Sequence, residues 1–296
     1  MYNNDRMIRK VALFGSGDGE LINRRLKDLI NALQKRKIDV AVLDKLTRNL
    51  DSKTMSGVSV YKEISINKDK PDMIFSIGGD GTFLETILYV RDSGIPVAGV
   101  NAGRLGFLAN IHDDIEDAIE LLINGKYSLI ERFLLELIEP AGILGNSNVA
   151  LNDITIQKAD LNMITIKVYV DDRYLNTYWA DGLIISTATG STAYNLATGG
   201  PILSPQDESI IISPLSPHNL TVRPIVLPGN SSLRLIVEGR GSEYLTTCDF
   251  RTARLPYNKE LLISQPGYRL KTVNVEGQDF FSTLRDKLMW GADPRN

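Results

Sequence analysis

The sequence predicts an α/β domain with a parallel, Rossmann-like sheet, joined to a β-rich, all-β sandwich-like domain. Three observations carry this reading. Up to Gly125 and Lys126, short apolar runs alternate with stretches of helical spacing, the pattern of a parallel sheet with helices between its strands. From Tyr127 the runs become short, β-branched and separated by turn residues, the pattern of antiparallel strands. Near the end a helical pattern returns, so residues 269–296 are expected to rejoin residues 1–126, with 127–268 forming the second domain. At 296 residues and 43% hydrophobic composition, the chain is long enough to bury two ordinary cores.

In order, Ile8–Phe14 reads as a strand, and Leu21–Leu33 as a helix with Leu21, Ile22, Leu26, Leu29, Ile30 and Leu33 on one side. The glycines between them, Gly15, Gly17 and Gly19, lack dinucleotide-fingerprint spacing and read as a turn. Asp39–Leu43 is a second strand, and the polar stretch Thr47–Lys70 is rich in loop residues. Asp72–Ile77 follows Pro71 as a buried strand. It runs into Gly78-Gly79-Asp80-Gly81-Thr82, with helical spacing from Phe83 onward. Ile95–Val100 is a strand leading into Asn101–Phe107, and Asp113–Ile123 is a helix with acids in its first turn, stopped by Asn124-Gly125. Ligands of parallel sheets gather at the carboxyl ends of strands, so the Gly78–Thr82 and Asn101–Phe107 turns are expected to share a crevice. Strands then follow at Phe133–Ile138, Ile164–Val170, Leu183–Ser186, Leu233–Val237 and Glu260–Ile263. Pro201–Pro228, rich in Pro and Ser, is expected to carry long loops. The closing helix, Phe280–Trp290, is expected to bury Phe281, Leu284 and Leu288 against the first domain.

The Gly78–Thr82 turn carries the clearest chemistry. Glycines between a strand and a helix let backbone N–H groups approach a ligand, and the helix start adds partial positive charge, so Gly78, Gly79, Gly81 and Thr82 form a phosphate seat. Asp80 inside that seat is repulsive to phosphate unless it holds a metal ion or takes a proton from a nucleophile. Asn152-Asp153, set among apolar residues, reads either as a turn or as a pair gripping sugar hydroxyls, and the two residues alone leave both open. Thr189, Ser191, Thr192 and Tyr194 crowd about Gly190 before a short helix; they can cap that helix or meet a polar ligand, with the tyrosine ring free to stack. Ser191 lies outside any Gly-x-Ser-x-Gly elbow, which argues against a hydrolase nucleophile. His112 and His218 lack metal-ligand spacing, and Asp249 reads as a surface charge.

A net charge of −3 argues against a nucleic-acid partner. One cysteine, Cys248, leaves no internal disulfide and fits a reducing compartment. With no apolar signal core at the start and no long apolar run, the expectation is a cytoplasmic protein without a membrane partner.

Taken in order and spacing, several segments resemble the NAD kinase family. They are Gly78-Gly79-Asp80-Gly81-Thr82, Asn101-x-Gly103-x-Leu105-Gly106-Phe107, Leu151-Asn152-Asp153, Asp181-Gly182, Thr189-Gly190-Ser191-Thr192-Ala193-Tyr194, Gly199-Gly200-Pro201 and Phe281-x-x-Leu284-Arg285-x-Lys287-Leu288. The first turn alone also marks diacylglycerol and sphingosine kinases; the Thr-Gly-Ser-Thr-Ala-Tyr segment is what sets NAD kinases apart. The resemblance implies phosphorylation of the 2′-hydroxyl of the adenosine ribose of NAD by ATP, with a divalent ion, Mg2+ first, and a homodimer or homotetramer. It implies a nucleotide site between an α/β nucleotide-binding domain and a β-rich NAD-binding domain. Asp80 would act on the hydroxyl, with Gly81, Phe107, Asn152, Asp153, Asp181, Thr192, Ala193, Tyr194, Asn195, Leu196 and Ala197 contacting NAD. Asp153 departs from the family pattern, which more often has Glu there. The rivals are a lipid kinase of the diacylglycerol type and a non-catalytic dinucleotide-binding regulator; no basic amphipathic helix supports the first, and Asp80 opposes the second.

Overall fold

The computed structural model describes residues 8–17, 19–64, 70–103, 106–112, 114–145 and 147–291. Asp18, Arg104, Leu105 and Asp113, which belong to turns and a helix start read above, lie outside the described residues, as do the first seven residues and 65–69 of the polar stretch. The chain divides into two units, one made of residues up to Glu131 together with those from Leu270 onward, the other of Arg132–Arg269.

The first unit opens with β1 (Lys10–Gly15), α1 (Glu20–Lys35), β2 (Asp39–Leu43) and β3 (Val58–Tyr61), then β4 (Met73–Gly78), α2 (Asp80–Val90), β5 (Val97–Asn101), α3 (Ile115–Ile123) and β6 (Tyr127–Arg132). β4 and β5 are buried throughout, as strands covered on both faces must be. In α1 the apolar spacing places Leu26, Leu29, Ile30 and Leu33 in the core, while Leu21 is exposed. β3 lies inside the stretch read as loop. Its alternation is weak because it is an edge strand, paired with β2 alone and only partly buried. α2 starts at Asp80 rather than Phe83: Gly79 is extended at the cap, and Phe83 N donates to Gly79 O (3.1 Å), so Asp80, Gly81 and Thr82 form the first helical turn. The negative side chain there complements the helix dipole.

The second unit holds β7 (Leu135–Glu139), β8 (Val149–Ala150), β9 (Asp153–Lys158), β10 (Ile164–Val170), β11 (Arg173–Ala180), β12 (Gly182–Ser186), the single turn α4 (Tyr194–Ala197), β13 (Ser209–Leu215), β14 (Ile225–Pro228), β15 (Leu233–Glu238), β16 (Glu243–Cys248), β17 (Arg251–Pro256) and β18 (Glu260–Ser264). They form two six-stranded sheets, ordered β11-β10-β15-β18-β7-β8 and β14-β13-β12-β9-β16-β17, antiparallel at each pairing described. Alternate residues of both, including Ile164, Ile166 and Val168 of the first and Ile154, Ile156, Leu183 and Ile185 of the second, meet in one apolar core, the arrangement of a sandwich. The stretch read as loops, Pro201–Pro228, contributes β13 and β14. β13 is an isoleucine-rich run, and its Pro214 lies beyond the last β14 pair at Ile212, where a missing N–H costs the β13–β14 ladder nothing.

The chain then returns to the first unit with β19 (Leu270–Val275) and α5 (Phe280–Leu288). The seven-stranded sheet is completed in the order β3-β2-β1-β4-β5-β19-β6, with β1 through β5 and β19 parallel. β6 joins this sheet, so the first unit runs to Glu131. Strand order reverses between β1 and β4, which places Gly15 opposite Ile77, next to Gly78, at the switch point where such sheets bind ligands. In α5 only Leu284 is buried; contrary to expectation Leu288 is partly buried and Phe281 is 61% exposed, its ring 5.7 Å from that of Phe280. No helix among the described residues is long and apolar enough to cross a membrane.

Candidate active site

In the first unit the site begins at the carboxyl end of β4. Thr82 folds back over Gly78 so closely that any side chain on Gly78 would collide with it. Thr82 Oγ1 also lies 3.0 Å from Ser16 Oγ, so the turn after β1, read only as a turn, forms part of the same polar mouth. Nothing lies within 4 Å of where side chains on Gly79 and Gly81 would project, so the backbone at the start of α2 faces open space. The N–H groups of the first turn of α2 thus lie beside open space at Gly79 and Gly81.

Asp80 is more occupied than the sequence suggested. Its Oδ2 accepts from Phe107 N (2.9 Å) and its Oδ1 from Leu108 N (3.0 Å) and Ala109 N (3.3 Å), and Lys287 Nζ approaches Oδ2 at 3.4 Å. Two oxygens offer about four lone-pair positions, so four donors fill them. The loop delivering those amides is held to β5. Ile111 N donates to Gly99 O and Asn101 N to Ile111 O, Asn101 Nδ2 reaches Ala109 O, and a side chain on Gly99 would strike the Leu108 backbone. Gly106 is required for the same reason, because a side chain there would collide with the Asp80 carboxylate. The expected meeting of the two turns is thus observed, with Asp80 as the link. Phe107 is partly buried, its ring 4.5 Å from Lys287 Nζ and 6.2 Å from the ring of Phe280.

In the second unit Asn152 and Asp153 stand at the start of β9. Asp153 is 6% exposed, and among the described residues neither its carboxyl nor the Asn152 amide makes a hydrogen bond. Burial, reinforced by the nearby Asp249 charge, pushes the Asp153 carboxyl up to about 7. The pair is flanked by the Thr189–Tyr194 segment. Thr187 N donates to Asn152 O (2.9 Å), Thr187 Oγ1 to Leu151 O (2.6 Å), and Gly190 packs so tightly on Asn152 O that only glycine fits. Tyr194 is 43% exposed, leaving its ring free to stack. Thr192, Ala193, Leu196 and Ala197 line the same short turn, which Gly199 stops in a left-handed conformation, φ +76°.

Two residues expected to contact NAD, Asn195 and Asp181, have partners within the chain. Asn195 is fully buried: its Nδ2 donates to Ser191 O and Pro201 O and its Oδ1 accepts from Ser213 Oγ (2.6 Å), so the side chain braces the turn instead of facing a ligand. Asp181 precedes β12 at the end remote from Ser186, which pairs with Asp153; five strand residues separate them by about 17 Å. Within the chain Asp181 instead pairs with Lys158 (2.6 Å).

Sequence reasoning also missed Asp249. It is no surface charge: its Oδ2 accepts from Leu151 N (3.0 Å), its Oδ1 from Asn152 N (2.7 Å) and Asp153 N (3.3 Å), and its own N–H donates to Asp153 O. Burial raises its carboxyl above the usual range, opposed by those three amides and by Arg251. Arg251 in turn donates to Ser147 O and Val149 O, a backbone clamp. Asp249 sits at φ +54° in the β16–β17 turn, a conformation aspartate tolerates better than most residues, and that turn position was the available signal. Among the described residues no three His, Cys, Asp or Glu gather as metal ligands.

Comparison with known proteins matches both units. Residues 18–127 match the model described as the ATP-NAD kinase N-terminal domain, and residues 151–275 the ATP-NAD kinase C-terminal domain. The chain is 40% identical to a NAD kinase of Flavobacterium psychrophilum, covering 97% of this chain and all of that relative. It is also 40% identical to a NAD kinase of Bacteroides fragilis, covering 97% and 99%. In fold it is similar to yeast NADH kinase complexed with NADH, at a TM-score of 0.84 and 21% identity, covering 98% of this chain and 90% of that one. A NAD kinase from Archaeoglobus fulgidus in complex with ATP gives 0.71 at 21% identity, covering 95% and 98%.

Proposed function

The chain belongs to the NAD kinase family and is a kinase that phosphorylates NAD; from that premise we propose that the acceptor is the 2′-hydroxyl of the adenosine ribose and that ATP is the donor. What supports the acceptor position above all is the pair Asn152 and Asp153, adjacent polar side chains at the start of β9 that make no hydrogen bond among the described residues, in the same unit as the exposed ring of Tyr194. A carboxylate and an amide together suit a ribose diol, and the ring suits a base. Phe107, Thr192, Ala193, Leu196 and Ala197 complete the NAD contacts in this reading, while Asn195 acts by bracing.

Phosphoryl transfer asks for an in-line hydroxyl, neutralised phosphate charge and little covalent chemistry. The Gly78–Thr82 backbone and the start of α2 hold donor phosphates. The hydroxyl oxygen bonds to the γ-phosphorus as the bond from that phosphorus to the β–γ bridging oxygen breaks; ADP leaves with the electron pair, and Asp80 takes the hydroxyl proton. When bound, a divalent ion, Mg2+ in this reading, neutralises charge on the phosphates. Cytoplasmic location and a homodimer or homotetramer belong to the same proposal, supported by the lone Cys248 and the family pattern.

The test is product formation from NAD and ATP with Mg2+, with NADH and diacylglycerol as alternative acceptors, and phosphorus NMR to locate the new ester. An ester at any position other than the adenosine 2′-oxygen overturns the acceptor assignment.

A further inference from the structure

We propose that Lys287 is the exchangeable partner of Asp80: it occupies the carboxylate until the acceptor hydroxyl arrives, then turns to the oxygens of the transferring phosphoryl group. This rests on the kinase reading above for what acceptor and donor are. The starting point is the saturation of Asp80. A hydroxyl can bind a carboxylate whose acceptor positions are filled only if a donor leaves. Three of the four donors are consecutive amides of a loop locked onto β5, so releasing one means unfolding that loop. The fourth, Lys287 Nζ, is the longest contact at 3.4 Å and comes from a side chain about a third exposed. It leaves by changing rotamer.

The surroundings give the ammonium a short path. It lies 4.5 Å from the centre of the Phe107 ring, whose face supports a cation while it moves. The helix beneath it is tied down: Gln278 Nε2 donates to Asn110 O (2.8 Å), Asp279 caps Ser282 N (3.1 Å), and Leu284 is buried. Only the lysine side chain need move. An in-line hydroxyl stands about 3–3.5 Å from the phosphorus it attacks, so a cation displaced from the carboxylate by that hydroxyl is one side-chain swing from the phosphoryl oxygens. There it stabilises the charge that develops in transfer. The proton passes from hydroxyl to Asp80 as before, and Lys287 neither gains nor loses one.

The exchange separates two constants that a structural role would leave together. Lys287→Met keeps the stem over Phe107 and removes the charge. It is expected to lower kcat about 10- to 100-fold while leaving the KM for NAD unchanged or lower, since the hydroxyl no longer competes for Asp80. Lys287→Arg is expected to recover kcat to within about fivefold of the parent, because the charge is restored. Melting temperatures should stay close to that of the parent, because an ion pair this exposed contributes little to stability. If the methionine variant melts early, Lys287→Gln is read in its place. A kcat within twofold of the parent, a raised KM at unchanged kcat, or a loss that arginine does not recover overturns the proposal. Those failures appear only in the variants, whereas a parent that forms no product from NAD and ATP overturns the reading beneath it and this one with it.

Discussion

Asp80 in the first unit and Asp249 in the second hold a loop by the same device. Each carboxylate accepts from three consecutive backbone amides, Phe107 to Ala109 in one case and Leu151 to Asp153 in the other. Each has a cation at hand, Lys287 beside Asp80 and Arg251 near Asp249. The difference lies in what the cation is committed to. Arg251 spends its terminal nitrogens on backbone carbonyls and is fixed, whereas Lys287 is held by one long ion pair and a ring face. One carboxylate can therefore exchange a partner and the other cannot. In the proposed reading the same geometry serves a reacting group in the first unit and a brace in the second, and the mobility of the fourth partner decides which.

Replacing Asp80 gives the largest effect and tests the reacting half of that contrast. Asp80→Asn turns an NH2 toward either the loop amides or Lys287, so it costs about 1–3 kcal/mol of stability from unmatched donors. It also loses the proton acceptor, for which kcat should fall about 10²–10⁴-fold. Calorimetric melting and steady-state rates measured together separate the two losses; a folded variant with kcat within fivefold of the parent removes Asp80 from the chemistry. Asn152→Ala should come next. It deletes a side chain with no hydrogen-bond partner among the described residues, so stability should hold while NAD binding weakens by roughly 1.5–3 kcal/mol if the amide meets a charged or strongly polar group. Calorimetric affinity for NAD equal to that of the parent returns Asn152 to a turn residue.

Asp249→Asn probes the brace. At least one of the amides of Leu151, Asn152 and Asp153 then loses its acceptor, costing about 1–3 kcal/mol in thermal stability. The KM for NAD should rise while kcat changes less, because the variant disturbs the residues that grip and not the one that reacts. A variant that loses kcat at constant KM erases the distinction between the two carboxylates.

How far the sequence could be read follows from where each partner lies along the chain. The Gly78–Thr82 turn was legible because its strand, glycines, acid and helix are contiguous. So was the Thr189–Tyr194 segment, whose hydroxyls and stopping glycines are local. The brace was not, since Asp249 meets its amides 96 to 98 residues away, and Lys287 meets Asp80 across 207. The contact of Ser16 with Thr82 was hidden for the same reason, 66 residues apart. Local pattern also misjudged β13, where the prolines and serines of the surrounding stretch outweighed the isoleucine run that buries it, and Asn195, whose place in a polar run hid that it points inward.

The smallest predicted effect concerns Asp153, which lies beside the brace. Burial is the main cause of its rise from an ordinary 3.8 to about 7, and the neighbouring Asp249 charge adds to it. Cys248, also near, has its thiol pushed up to about 12 by burial and stays neutral throughout, and burial raises the Asp249 carboxyl above the usual carboxylate range. An acid whose folded value is raised binds its proton more tightly in the folded chain. Its stabilising contribution is therefore complete below about pH 4 and is lost as pH rises through about 7. Gripping ribose hydroxyls runs the other way, because the ionised form is the better acceptor, so affinity for NAD should climb about tenfold between pH 6 and 8 as the charged fraction grows. Stability falling while affinity rises over one window is a signature that a purely structural carboxyl does not give. In Asp153→Asn both slopes should flatten, with thermal stability at pH 8 above that of the parent and NAD affinity independent of pH across the window. Parallel slopes in the parent, or an undiminished affinity slope in the variant, would remove Asp153 from the ribose contact and leave Asn152 to hold it alone.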